Sequence, residues 1–123
     1  MVNSNIINLI HIVIAILLLC INLISKSSLQ KVVYFGLIIL SSIVILYQGG
    51  LFLKSYSNNN LNSYRSFINL FHVLIGMYLI YISSINLKNF DSNNFIIVQR
   101  ILTLLALMMI SIHTYLYMSR NYM

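Results

Sequence analysis

Apolar side chains dominate four stretches of the chain, at roughly residues 6–24, 32–53, 66–87 and 95–118, each near the ~20 residues a helix needs to cross a ~30 Å hydrocarbon core. Backbone groups inside lipid must pair within their own segment, and a barrel would need many more strands, so the stretches predict helices. The connectors are short: Ser25 to Lys31, Lys54 to Arg65, and Lys88 to Asn94. The middle one contains Ser57-Asn58-Asn59-Asn60, a polar low-complexity run that predicts a solvated loop. Tight connections make neighbouring helices antiparallel, so the expected fold is all-α, a four-helix transmembrane bundle running up-down-up-down as a single membrane domain over residues 1–123.

The same pattern contains an internal repeat. Residues 7–16, INLIHIVIAI, match residues 68–77, INLFHVLIGM, with Ile, Asn, Leu, His and a later Ile identical. The second and fourth stretches match more weakly, with Gln48 opposite His113 and Leu51-Phe52-Leu53 opposite Leu116-Tyr117-Met118. This predicts two tandem helical-hairpin repeats, one over about residues 6–53 and one over about 66–118, joined by a loop at 54–65.

Polar and small residues recur at helical spacing. Asn8, His11, Ala15, Asn22 and Ser25 share one face of the first helix, and Asn69, His72, Gly76, Ser83 and Asn86 repeat that pattern in the third. The fourth helix places Gln99, Thr103, Ala106, His113, Tyr117 and Arg120 in phase, and the second Tyr34, Ser41, Gln48 and Ser55. Lipid cannot satisfy amides and imidazoles, so these positions are expected to form an inward packing seam, with Ala15, Gly76 and Ala106 letting backbones approach closely.

His11, His72 and His113 are the candidate cofactor-binding residues. With the first and third helices running one way and the fourth returning, all three imidazoles are expected near one leaflet. Ionisable groups within membrane helices are functional candidates, and two facing histidines can supply both axial ligands of a b-type haem. Three histidines without a carboxylate or second cysteine make a weak zinc or copper set, so no metal site is expected. No nucleophile-base arrangement, phosphate-cradling glycine loop or paired carboxylate is present, so no enzymatic centre is expected either. Gly49-Gly50 predicts close packing or a local irregularity late in the second helix.

Composition agrees with a lipid environment. Of 123 residues, 60% are hydrophobic and 7% charged, more apolar surface than a soluble domain of this length can hide. Seven Lys and Arg oppose a single acidic residue, Asp91, giving a net charge of +6. The cations are scattered singly at the ends of apolar runs, which suits interfacial anchors and argues against nucleic acid as a partner. Lys54, Arg65 and Arg120 share the side of the N-terminus and Lys26, Lys31, Lys88 and Arg100 the other, a balance that selects no orientation. Cys20, the only cysteine, is expected as a small buried hydrophobe. The leading MVNSN lacks the basic region of a signal peptide, so the first apolar run is read as a mature helix.

Two resemblances bear on function. The pattern Ile-Asn-Leu-x-His followed by a Leu/Ile/Tyr-rich helix, with a return helix carrying His before Tyr, resembles short His-containing hairpin membrane proteins of large DNA viruses, over residues 68–82 and 104–117. That likeness implies a virion or host membrane. His72-Val73-Leu74-Ile75-Gly76-Met77 resembles the haem-ligand stretch of succinate dehydrogenase membrane-anchor subunits, which implies His72 as a haem ligand; Ser83-Ser84 stand where that family often has Asp-Tyr. The leading expectation is a non-enzymatic structural or assembly protein of an organelle inner membrane or a viral or host membrane. Its partners would be the lipid bilayer and membrane proteins or further copies of itself. The alternatives are a b-haem anchor using His72 with His11 or His113, and a small channel or transporter.

Overall fold

The computed structural model of the chain describes residues 3–59 and 64–122. It is all-α, with helices α1 (Ser4–Cys20), α2 (Ser27–Ser57), α3 (Tyr64–Lys88) and α4 (Ser92–Tyr122), and a 3-10 turn over Ile21–Leu23 that prolongs α1. Each helix is long and apolar enough to cross a membrane: the spanning segments run over Ser4–Leu23, Ser27–Ser57, Arg65–Lys88 and Ser92–Ser119. Within the described residues no strand occurs.

The helix ends explain themselves locally. Asn3 caps α1, its side-chain oxygen accepting from the Asn5 amide at 2.9 Å, which satisfies one of the donors a helix start leaves unpaired. At the end of α2 the Asn58 amide bonds back to the Lys54 carbonyl at 3.1 Å, and Asn59 takes a left-handed φ of 54°, a conformation asparagine tolerates better than most residues. The Ser-Asn-Asn run therefore stops the helix. The rest of that loop, including Asn60, lies outside the described residues, as does the side chain of Arg120.

Three expectations need correction. The helices overrun the apolar stretches, α2 beginning at Ser27 and α4 at Ser92, because polar residues at a membrane boundary remain helical wherever water can solvate their side chains. Cys20 is exposed, on the outward face of α1. Gly49-Gly50 causes no irregularity in α2: a Cβ on Gly49 would meet only Val73 Cγ2, at an ordinary 3.8 Å, and one on Gly50 would meet nothing within 4 Å.

The chain divides into two compact units, one built from α1, the 3-10 turn and α4, the other from α2 and α3. The tandem hairpins expected from the repeat group these helices differently, α1 with α2 and α3 with α4. Sequence likeness says which segments resemble each other, whereas packing depends on which seams complement each other.

In the α1–α4 unit the helices are antiparallel, with Asn8 near the start of α1 bonded to His113 near the end of α4, and Asn22 bonded to Thr103. Ala15 and Ala106 are fully buried between those links, with Leu18 buried beside them, and Phe95, Val98 and Leu102 are buried along α4 ahead of Thr103. In the α2–α3 unit the close approach is at Gly76. A Cβ there would lie 2.8 Å from Ile45 Cγ1 and 3.3 Å from the Ser41 carbonyl oxygen, so only glycine fits the present spacing. Around it Tyr34, Leu37, Ser41, Leu79 and Ser83 are buried.

Candidate functional site

The densest side-chain chemistry lies at the end of the α1–α4 unit that holds the start of α1. Asn8 is buried on α1, one turn before His11, and α4 brings His113 against both. The His11 and His113 rings stack with centroids 4.0 Å apart and planes 18° from parallel. His113 Nδ1 lies 2.9 Å from Asn8 Oδ1, and since an amide oxygen only accepts, that nitrogen carries the proton. His11 Nδ1 lies 2.8 Å from the Ile7 carbonyl and must likewise donate. In its neutral form each ring thus carries its lone pair on Nε2. The amide nitrogen of Asn8 is buried with no hydrogen-bond partner.

His72, in the α2–α3 unit, repeats the local half of this arrangement. Its Nδ1 donates to the Ile68 carbonyl at 2.8 Å, as His11 does to Ile7, and its ring meets Phe71 edge-on at 6.4 Å. The two Ile-Asn-Leu-x-His segments therefore share this ring-to-carbonyl bond. They differ in the surroundings of the asparagine: Asn8 joins His113, whereas Asn69 lines an open pocket with Lys54, Ser55 and Arg65.

Of the three histidines expected near one leaflet, His11 and His113 meet within the α1–α4 unit, and His72 belongs to the α2–α3 unit. Face-to-face rings 4.0 Å apart leave no room for a porphyrin between them, so His11 and His113 do not form a bis-imidazole sandwich with each other. Among the described residues no group of three or more His, Cys, Asp or Glu side chains could hold a metal ion.

At the other end of α1 a second polar cluster was not anticipated as one. Gln99 of α4 donates from Nε2 to the Ile24 carbonyl at 3.3 Å and to the Ile21 carbonyl at 3.0 Å, the latter also accepting from the Ile24 amide at 3.1 Å. Asn22 donates to Thr103 Oγ1 at 2.8 Å, and Thr103 in turn donates to the Gln99 carbonyl at 2.8 Å. Asn22 is exposed yet bonded, which corrects the expectation of a buried seam at that position. In the α2–α3 unit the seam residues Ser41, Gly76 and Ser83 are buried and Gln48 and Asn69 half-buried. The side-chain oxygens of Ser41, Gln48 and Ser83 have no hydrogen-bond partner there.

Outside these clusters the helices present lipid-compatible faces, with Leu46 at 77% exposure and Phe67 at 67%. A soluble protein would not leave such side chains in water on every helix, at about 25 cal/mol for each Å² of apolar surface. The chain is a small integral membrane protein, with four helices among the described residues long and apolar enough to cross a membrane. Comparison with protein-family models, with curated proteins and with solved structures finds no match.

Proposed function

We propose that this chain is a structural or assembly subunit of a larger membrane complex, its outward helix faces packing on partner membrane proteins or on further copies of itself. The observation that carries the reading is the division of labour within each helix. Only 17% to 22% of each apolar window is buried within the chain, which leaves most of each helix to other occupants of the membrane. The interior polar groups that bond at all bond to one another and to helix carbonyls, the pattern of packing glue between membrane helices. Gentle detergent extraction followed by native electrophoresis tests it: the chain should migrate in a stoichiometric assembly well above its own 14.2 kDa. Photo-crosslinkers at Leu46 and Ile43 should form protein adducts; a monodisperse monomer whose crosslinks reach lipid alone would overturn the proposal.

A second reading, a b-haem anchor with His72 as an axial ligand, draws support from the tautomers. A ring nitrogen donated to a carbonyl fixes the imidazole and leaves Nε2 as the ligating atom, the arrangement that commonly orients metal-bound histidines. Purified protein would then show a low-spin Soret band that a His72→Ala variant loses. A colourless preparation from haem-replete cells removes this reading.

A further inference from the structure

The connector end of the α2–α3 unit carries a feature that the packing role does not use. An open pocket of about 250 Å³ is lined by Leu51, Lys54 and Ser55 from α2 and by Arg65, Ile68 and Asn69 from α3. Two cations from different helices converge on one concavity, which costs free energy unless an anion lies between them. The chain cannot supply that anion from a side chain. Its single acidic residue, Asp91, lies beyond the far end of α3, and a helix of 25 residues places it roughly 37 Å away at 1.5 Å per residue. The other end of the same unit is arranged differently: the Lys31 ammonium sits 5.0 Å from the centroid of the Phe90 ring, so an aromatic face already receives that charge.

We infer that this pocket binds the phosphate of an anionic membrane lipid. Arg65 presents a planar fork of donors suited to two phosphate oxygens, and Lys54 adds a point charge. The Ser55 hydroxyl and Asn69 amide supply neutral donors to the same concavity. What distinguishes a lipid headgroup from free phosphate is the gradation of the lining. Lys54 and Arg65 stand at the boundary of the spanning segments, and Leu51 and Ile68 lie about one turn deeper along α2 and α3 respectively. The charged rim therefore gives way to Leu51 and Ile68, with Asn69 beside them at a similar depth, in the direction acyl chains would run, which suits a phosphodiester carrying acyl chains. Basic pockets between membrane helices are suited to such headgroups. The inference stands whether or not the chain assembles with partners.

Titration of the purified full-length chain with phosphatidylglycerol or phosphatidylcholine, read by native mass spectrometry, tests it. One phosphatidylglycerol should bind ahead of any phosphatidylcholine. The Lys54→Gln, Arg65→Gln double variant should bind it about tenfold or more weakly, while a Lys31→Gln, Lys88→Gln variant of equal net charge keeps the wild-type affinity. Equal losses in both variants would reduce the effect to overall charge and overturn the site. Displacement of the lipid by millimolar inorganic phosphate would show a site for free phosphate and overturn the lipid assignment. Should the double variant fail to fold, a photoreactive phosphatidylglycerol on the wild-type chain decides: adducts confined to the peptide carrying Leu51 to Asn69 support the site, and adducts spread along all four helices overturn it.

Discussion

The two compact units solve one problem, pairing antiparallel apolar helices, by different means. The α1–α4 unit is joined by side-chain hydrogen bonds at both ends, Asn8 with His113 at one and Gln99, Thr103 and Asn22 with the end of α1 at the other, with alanines between. In the α2–α3 unit a glycine, Gly76, lets Ile45 and the Ser41 carbonyl approach α3. Ser42 and Asn86 of this unit bond within their own helices, to the carbonyls of Ile38 and Ile82 at 2.8 and 2.7 Å. In lipid there is no hydrophobic drive between helices, so packing contact and polar bonding are the remaining sources of association. Polar links should fail gradually, one bond at a time, and a close contact abruptly.

The largest expected effect comes from that contact. Gly76→Leu would push a branched side chain where even a Cβ lies 2.8 Å from Ile45 and 3.3 Å from a backbone oxygen that cannot rotate away. Overpacking of this kind costs about 1–3 kcal/mol and sometimes more. Thermal unfolding in detergent should show a clear loss of stability. An unchanged transition would mean that α2 and α3 do not meet at Gly76.

Next in size is the histidine link. His113→Ala removes the stacked ring and leaves the buried Asn8 side chain without its imidazole donor, at a cost of about 1–2 kcal/mol. Replacing both residues by leucine should recover most of that loss, because the penalty lies in the orphaned amide more than in the missing bond. A double-mutant cycle with no coupling between the two positions would contradict the link.

How much of this could be read from the sequence depends on what kind of fact is asked for. The four helices were legible because a membrane imposes a minimum apolar length, and α3, expected over 66–87 and found over Tyr64–Lys88, shows how closely that rule operates. Ala15, Gly76 and Ala106, which helical spacing puts on the polar seams, are buried. The partner of each helix was not. Hydropathy counts residues along one segment and carries no term for complementarity between segments, so it does not give the grouping of α1 with α4 and of α2 with α3. His11 and His113 were each visible as polar residues in apolar helices, but their stack depends on α1 meeting α4. Lys54 and Arg65 looked like separate anchors for the same reason: only the return of α3 against α2 places them in one pocket.

A smaller effect separates capping from clasping in the α1–α4 unit. Gln99→Leu would release the Ile24 carbonyl and leave the Ile21 carbonyl only its bond from the Ile24 amide, with the Asn22–Thr103 bond still available. The expected loss is about 1 kcal/mol, with amide exchange accelerating first in the last turn of α1, near Leu18 to Leu23. Uniform acceleration along the whole of α1 and α4 would instead mean that Gln99 governs the association of the two helices, making the unit as abrupt in failure as its counterpart.

The smallest effect has the opposite sign. Gly50 lies in the same helix as Ile45, yet a Cβ there meets nothing within 4 Å, and the same is true of Gly36. Alanine at either position should relieve the conformational freedom glycine brings to a helix without touching α3, stabilising the protein by roughly 0.5–1 kcal/mol. Gly49→Ala, with Val73 at an ordinary contact distance of 3.8 Å, should behave almost as well. Unfolding measurements on these three variants beside Gly76→Ala test whether tolerance depends on distance from the crossing point alone. If Gly36→Ala or Gly50→Ala destabilises as strongly as Gly76→Ala, those faces are occupied by a neighbouring helix in the membrane, and the close contact at Gly76 is one of several.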